Sequence, residues 1–247
     1  MIEGKNGLQY NVASEHDLIA KHLMANGEYE PEVVQIAANL IQHNPGCILD
    51  IGSNIGTFVI PLANQFAHRQ FYAYEVQPKI VQLLKDNIVL NKLTNVTVHD
   101  YGFAERTEHL RITVPDYSKE VNVGAFSLDS QVRENQYEVV TQGEEVEIYI
   151  RPMDTCQFPP IGLIKMDVEG MELEVIAGGL FTLRNNNFPP LIFECWTWKQ
   201  WFMPRLASLL GAVEQLGYKI QQCNNNFIAQ HTSRPVFVEF SFDRHNS

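Results

Sequence analysis

From about residue 46 onward, short apolar runs alternate with longer segments of helical period, and that alternation leaves few folds open. A short apolar run suits a strand covered on both faces, and the intervening helical segments supply the cover. The expectation is therefore an α/β chain with a mostly parallel sheet between helices. Strands are expected at residues 46–51, 70–75, 95–99, 161–167 and 191–194. Three more, at 218–222, 227–230 and 236–240, complete the sheet. Helices are expected at 55–66 with Pro61 in the second turn, at 78–91, at 172–178 and at 204–216. In the second of these Ile80, Leu83, Leu84 and Ile88 share a face. Ahead of the alternating part, residues 1–45 form an N-terminal helical segment, with helical periods at Leu18, Ile19, Leu23 and at Val33, Ile36, Ala37, Leu40. Residues 104–160 change character. Polar and apolar residues alternate at 109–114 and 145–150, as in half-exposed antiparallel strands, and the polar stretch 116–143 between them reads as a long surface loop.

A chain of 247 residues with 45% hydrophobic content suffices for one sizeable core, so a single domain over 1–247 is expected. Lys and Arg number 18 against 29 Asp and Glu, a formal charge of -11 with no basic run to offset it. A phosphate backbone is repelled by such a chain, so nucleic acid is not the expected partner. Cys47, Cys156, Cys195 and Cys223 are widely spaced and read as small thiols in a reducing compartment. The N-terminus lacks a basic region followed by an apolar run, and no apolar segment approaches the ~20 residues that span a bilayer. No membrane insertion and a cytoplasmic location are the expectations.

The turn Asp50-Ile51-Gly52-Ser53-Asn54-Ile55-Gly56, followed by Thr57, joins the first strand to its helix. Gly52 lets the chain leave the strand sharply, and Gly56 lets a ligand and the helix approach the backbone. A nucleoside triphosphate calls for a lysine in such a loop, and a dinucleotide calls for G-x-G-x-x-G; the spacing here is G-x-x-x-G with no lysine. S-adenosylmethionine carries no phosphate and two cationic centres, so Asp50 at the strand end suits it. A ligand-free tight turn remains the bland alternative. Glu75 ends the next strand about twenty residues on, where an acid accepts ribose hydroxyls, with Val76 beside it. His99, Asp100, Tyr101 and Gly102 reach the same sheet edge, Asp100 facing an adenine amino group and Tyr101 or Phe103 the ring. Ordinary core packing is the alternative for those aromatics.

With these residues in view, the chain resembles the FkbM family of methyltransferases over roughly residues 30 to 230. Segments 48–58, 74–78, 122–127, Met153-Asp154 and, most specific, 164–175 carry the resemblance, and 189–194 and 226–229 agree with it. The resemblance implies a Rossmann-like class I methyltransferase fold: a mostly parallel seven-stranded sheet flanked by helices, with an antiparallel insertion between the third and fourth strands. It also implies S-adenosylmethionine as cofactor and methyl transfer to a hydroxyl, often of a sugar or a polyketide. Val76, where the family more often has proline, and the segment Tyr101-Gly102-Phe103-Ala104 depart from the family pattern.

Lys165, Asp167, Glu169 and Glu172 fall within eight residues at the end of the fourth strand, and Glu194 ends the fifth beside it. Methyl transfer needs alignment of the partners and removal of the acceptor's proton. Asp167 is the first choice for that base, with Glu169 and Glu194 behind it. Asp167 with Glu194 is also a candidate pair for a divalent cation. The bland alternative pairs Lys165 with Glu169 or Glu172 to cap the next helix. Trp196, Trp198 and Trp201, with Phe126, Tyr149, His99 and His109, offer faces for a sugar or a packed cap over the sheet. Residues 122–127 form the expected lid, and Glu28, Tyr29 or Glu30 is expected at the cofactor's ammonium. The expected activity is O-methylation of a sugar, glycan or small secondary metabolite. An NAD-binding oxidoreductase and a non-catalytic cofactor-binding protein are the rivals.

Overall fold

A computed structural model describes residues 1–115, 127–135 and 143–240. A small antiparallel pair, β1 (Ile2–Glu3) and β2 (Gln9–Tyr10), opens the chain, followed by α1 (Leu18–Asn26) and α2 (Pro31–His43). Both helices bury the apolar stripe read from the sequence, apart from Leu18, which is exposed. The alternating part runs β3 (Cys47–Ile51), α3 (Val59–Gln65), β4 (Phe71–Tyr74), α4 (Pro78–Leu90) and β5 (Val96–His99). After an insertion it resumes with β9 (Ile161–Met166), α6 (Glu172–Ala177), α7 (Leu180–Asn185), β10 (Leu191–Glu194), α8 (Met203–Gln215), β11 (Tyr218–Cys223) and β12 (Asn226–His231).

Seven of these strands form one sheet in the order β11-β12-β10-β9-β3-β4-β5. The pairs from β5 to β10 are parallel, and β12 runs antiparallel to both β10 and β11. The mostly parallel, seven-stranded α/β fold expected from the sequence is the one observed. β3 and β9 are completely buried, as expected of strands covered on both faces. Chain order runs outward from β3 through β4 to β5, and in the other direction from β9 to β10, so the sheet's switch point lies between β3 and β9. Ligand sites of open α/β sheets lie at such a point, beyond the carboxyl ends of the strands.

The inserted sheet comprises β6 (Gly102–Phe103), β7 (Glu108–Pro115) and β8 (Gly143–Arg151), in the order β6-β8-β7. β7 and β8 pair antiparallel as expected, and the added β6 runs parallel to β8. Within the stretch read as one loop lies a short helix, α5 (Ser130–Asn135). The expected lid falls outside the described residues except for its last member, Ser127, which is buried. Phe126 lies outside them too.

Two expected elements differ. The helix after β3 begins at Val59 rather than residue 55, because Asn54 and Gly56 both adopt positive φ, which no right-handed helix admits. Pro61 is thus the third helical residue, in the first turn, where its missing N–H has no intrahelical acceptor to satisfy. Residues 236–240 are not a strand. A side chain takes the ladder's place: the Gln230 amide donates to the Val238 carbonyl at 2.7 Å and accepts from the Val238 N–H at 2.9 Å. Among the described residues no helix is long and apolar enough to cross a membrane. All four cysteines are free, three of them buried.

Candidate functional site

At the carboxyl edge of β3, β4, β9 and β10 lies a cavity of about 480 Å³, within the range of small-molecule sites. Five carboxylates line it: Glu30, Glu75, Asp167, Glu169 and Glu194. Two lysines, Lys165 and Lys199, line it as well.

The glycine turn forms one wall. A Cβ on Gly52 would stand 1.8 Å from the Asp167 carbonyl oxygen, and φ there is +83°, so only glycine lets the end of β9 close against the turn. Gly56 lets α3 and α4 pack closely. Its absent Cβ would meet Ile60 and Leu84 at 2.7 and 2.9 Å, and the residue does not line the cavity. Ser53, Asn54 and Thr57 do line it. The Ser53 hydroxyl donates to the Asp50 carbonyl at 2.8 Å and accepts from the Tyr74 N–H at 3.1 Å, which fastens the turn to β4.

Glu75 is buried with its carboxylate pinned. Oε2 accepts the Asn54 N–H at 3.0 Å, and Oε1 accepts those of Val76 and Gln77 at 2.8 and 3.0 Å. Burial pushes its pKa up, and the three N–H donors oppose that rise. The geometry leaves Oε2 with acceptor capacity toward the cavity that Glu75, Val76 and Gly102 share.

Asp50 does not line the cavity. It is fully buried behind the turn, and register places it beside Lys165 on the neighbouring strand, so both side chains leave the same face of the sheet. Lys165 Nζ lies 3.7 Å from Asp50 Oδ1 and 3.3 Å from Asp167 Oδ2. Burial alone lowers the lysine pKa, but Asp167, Asp50 and Glu30 outweigh it and hold the ammonium protonated. Burial pushes Asp50 up against the pull of Lys165. Lys165 therefore pairs with Asp50 and Asp167, not with Glu169 or Glu172.

Glu172 folds the strand exit instead. It is buried and accepts the N–H groups of Val168 and Gly170, and burial raises its pKa to about 7. Glu169 lies in that exit with φ of +52°, and burial with the nearby Asp167, Glu194 and Glu172 pushes its pKa well up. Burial, Asp167 and Glu30 together raise Glu194 to about 8, with Lys165 opposing. Glu30, pushed up chiefly by burial, faces the cluster from the start of α2, where its φ is +46°. Glu30, Asn54 and Glu169 thus hold the left-handed conformation on the cavity wall, each at a cost of about 1 kcal/mol. For two glutamates no sequence signal announces that conformation.

Tyr29 and Glu30 line the cavity, whereas Glu28 faces away and pairs with Lys5. Asp100 and Tyr101 do not line it. Asp100 is exposed, and the Tyr101 ring packs against Tyr74 and Phe103 at 5.5 and 5.6 Å, so core packing prevails there. His99 stacks on Tyr74 at 4.8 Å, and Tyr149 packs on His109, which pairs with Glu147. Trp196 and Trp198 line the cavity; Trp201 packs against Trp196 and Phe202. Asp167 and Glu194 share the cavity, yet among the described residues no three His, Cys, Asp or Glu side chains are arranged to hold a metal ion.

Leu18 and Val33, from helices expected near the cofactor, line the cavity, and so do Val34, Leu128, Lys199 and Asn225, which the sequence did not single out. Val34 and Leu128 carry no signal beyond apolar character, and Lys199 carries no motif.

Residues 50–243 match the model of the methyltransferase FkbM domain. The chain belongs to the FkbM methyltransferase family. Its fold is similar to a crystal structure of the methyltransferase FkbM from Methylobacillus flagellatus KT, with a TM-score of 0.52 at 17% identity over 75% of this chain and 43% of that one. A precorrin-6y C5,15-methyltransferase from Geobacter metallireducens GS-15 gives 0.50 at 14% identity, over 91% of this chain and 100% of that one. In sequence the chain is similar to Methyltransferase 1 of Beauveria bassiana, 23% identical over 53% of this chain. It spans 57% of that fungal relative's length.

Proposed function

We propose that this chain transfers a methyl group from S-adenosylmethionine to a hydroxyl oxygen of a sugar, a glycan or a small secondary metabolite. The observation that carries the reading is the acidic cavity at the switch point, with the pinned Glu75 at one end and the proton-retaining Glu194 and Glu169 at the other. An acidic lining suits a ligand with two cationic centres and no phosphate. Bound S-adenosylmethionine would supply a methyl carbon made electrophilic by its sulfonium.

The residues present fit that cofactor. Glu75 would hold the ribose hydroxyls, the turn Gly52–Asn54 with Tyr29 and Glu30 the amino-acid end, and Val76 with Gly102 the base. Lys165 neutralises part of the acidic field and holds Asp167 in place. Glu194 is the proton acceptor we assign, in place of Asp167. Its pKa of about 8 matches a base that takes a hydroxyl proton near neutral pH, while Asp167 is engaged by Lys165. Trp198, 57% exposed at the cavity wall, offers a face for an acceptor ring. The formal charge of -11 supports an acceptor other than nucleic acid.

The test is mass spectrometry of glycans and metabolites incubated with the protein and methyl-labelled S-adenosylmethionine. The expected product carries the label as an O-methyl ether; label recovered on nitrogen or carbon, or none transferred, contradicts the proposal.

A further inference from the structure

We infer that the acceptor carries an anionic group, a carboxylate or a phosphate, and that Lys199 binds it; this rests on the methyl-transfer reading above. Glu75 follows β4 and Glu194 ends β10, three strand spacings apart across β3 and β9, roughly 14 Å at about 4.8 Å each. The cofactor half of the cavity lies over β3 and β4, which places Lys199, five residues beyond Glu194, in the acceptor half.

Lys199 is also the cavity's uncommitted cation. Lys165 is held between Asp50 and Asp167. Among the described residues Lys199 has no carboxylate within ion-pair distance, although it lines the same acidic cavity. Its ammonium lies over the Trp196 ring at 3.9 Å and 5.7 Å from the Trp201 ring centre. Indole faces hold the charge in place without neutralising it, because the ring quadrupole attracts a cation but supplies no counter-ion. Burial lowers its pKa, and Glu169 opposes that. The same contact covers a face of Trp196, so Trp198 is the indole left to meet an acceptor ring. An acceptor with a ring on Trp198 and an anion on Lys199 would direct its hydroxyl toward Glu194 and Glu169.

The test compares wild type, Lys199→Met and Lys199→Arg in two assays. Calorimetric titration with S-adenosylhomocysteine reads the cofactor half, and all three proteins are expected to bind it alike. A tenfold loss of that affinity in Lys199→Met would assign the lysine to the cofactor and overturn the inference. Labelled S-adenosylmethionine with a cell metabolite extract then reads the acceptor. The expected labelled product is retained on an anion exchanger, phosphatase treatment releasing a phosphate ester but not a carboxylate. With the purified acceptor, KM should rise roughly 10- to 100-fold in Lys199→Met and be restored in Lys199→Arg. A labelled product that is neutral, or an unchanged KM, overturns the inference and leaves methyl transfer standing. No labelled product despite cofactor binding overturns both.

Discussion

Replacing Lys165 by methionine removes the cation beside Asp50 and strands a fully buried carboxylate. Breaking one side of a buried pair costs about 3–5 kcal/mol, more than the pair itself is worth, because the remaining charge has no partner. Lys165→Met is expected to lose about that much in chemical denaturation, and Asp50→Asn added to it should recover most of the loss. If the double variant is no more stable than the single one, the pairing of these residues is wrong. At Glu194 the proposed role is catalytic. A base with a pKa of about 8 makes kcat rise with pH toward a plateau above that value. Glu194→Gln should lower kcat with the labelled acceptor by about 100-fold or more and flatten the profile. A variant that keeps both rate and profile would return the role to Asp167.

Among the elements, the turn after β3 is legible in the sequence, down to the positive φ of Gly52 and the close approach of the next helix to Gly56. The glycine spacing marks a turn that lines the cavity; Gly56 answers to Ile60 and Leu84, and Gly52 to the Asp167 carbonyl. The Leu84 and Asp167 contacts come from elements distant in sequence, α4 and the end of β9, and are invisible to local spacing. Gly52→Ala is expected to abolish a stable fold or displace β9 from the turn, read as a lower melting temperature and lost S-adenosylhomocysteine binding. Gly211, inside α8 with open space around its missing Cβ, is the contrasting position. Gly211→Ala should stabilise the protein by about 0.5–1 kcal/mol, the ordinary gain within a helix. The segment around Asp129 was read as part of a loop, but Arg205 of α8 binds it at 2.9 Å while also holding Glu174 at 2.7 Å and the Gly170 carbonyl at 2.6 Å. A residue 76 positions away in sequence thus anchors it, and no periodicity reports such a contact.

At the scale of the molecule, the sheet and its order were legible because buried strands and amphipathic helices announce themselves by pattern. The distribution of charge was not, since it depends on which strand ends meet. Burial in that cluster has a global effect. Glu172 and Glu194 titrate near 7 and 8 in the folded protein against an ordinary 4.5, so the folded state retains protons that the unfolded chain has released. Stability from these groups is present below about 4.5 and is lost as pH rises through about 7 to 8. Lys165, raised above its ordinary value, acts with the same sign at alkaline pH. The melting temperature is therefore expected to fall between pH 5 and 9, and to fall less in Glu172→Gln; a rise across that interval contradicts the placement of these protons.

In the proposed function the cavity at the switch point receives S-adenosylmethionine, with Glu75 on its ribose. Isothermal titration of wild type and Glu75→Ala with S-adenosylmethionine and with NAD tests it most directly. Saturable binding of S-adenosylmethionine by wild type, at least tenfold weaker in Glu75→Ala and with no heat from NAD, is the expected result. Binding of NAD without S-adenosylmethionine, or an affinity indifferent to Glu75, would contradict it.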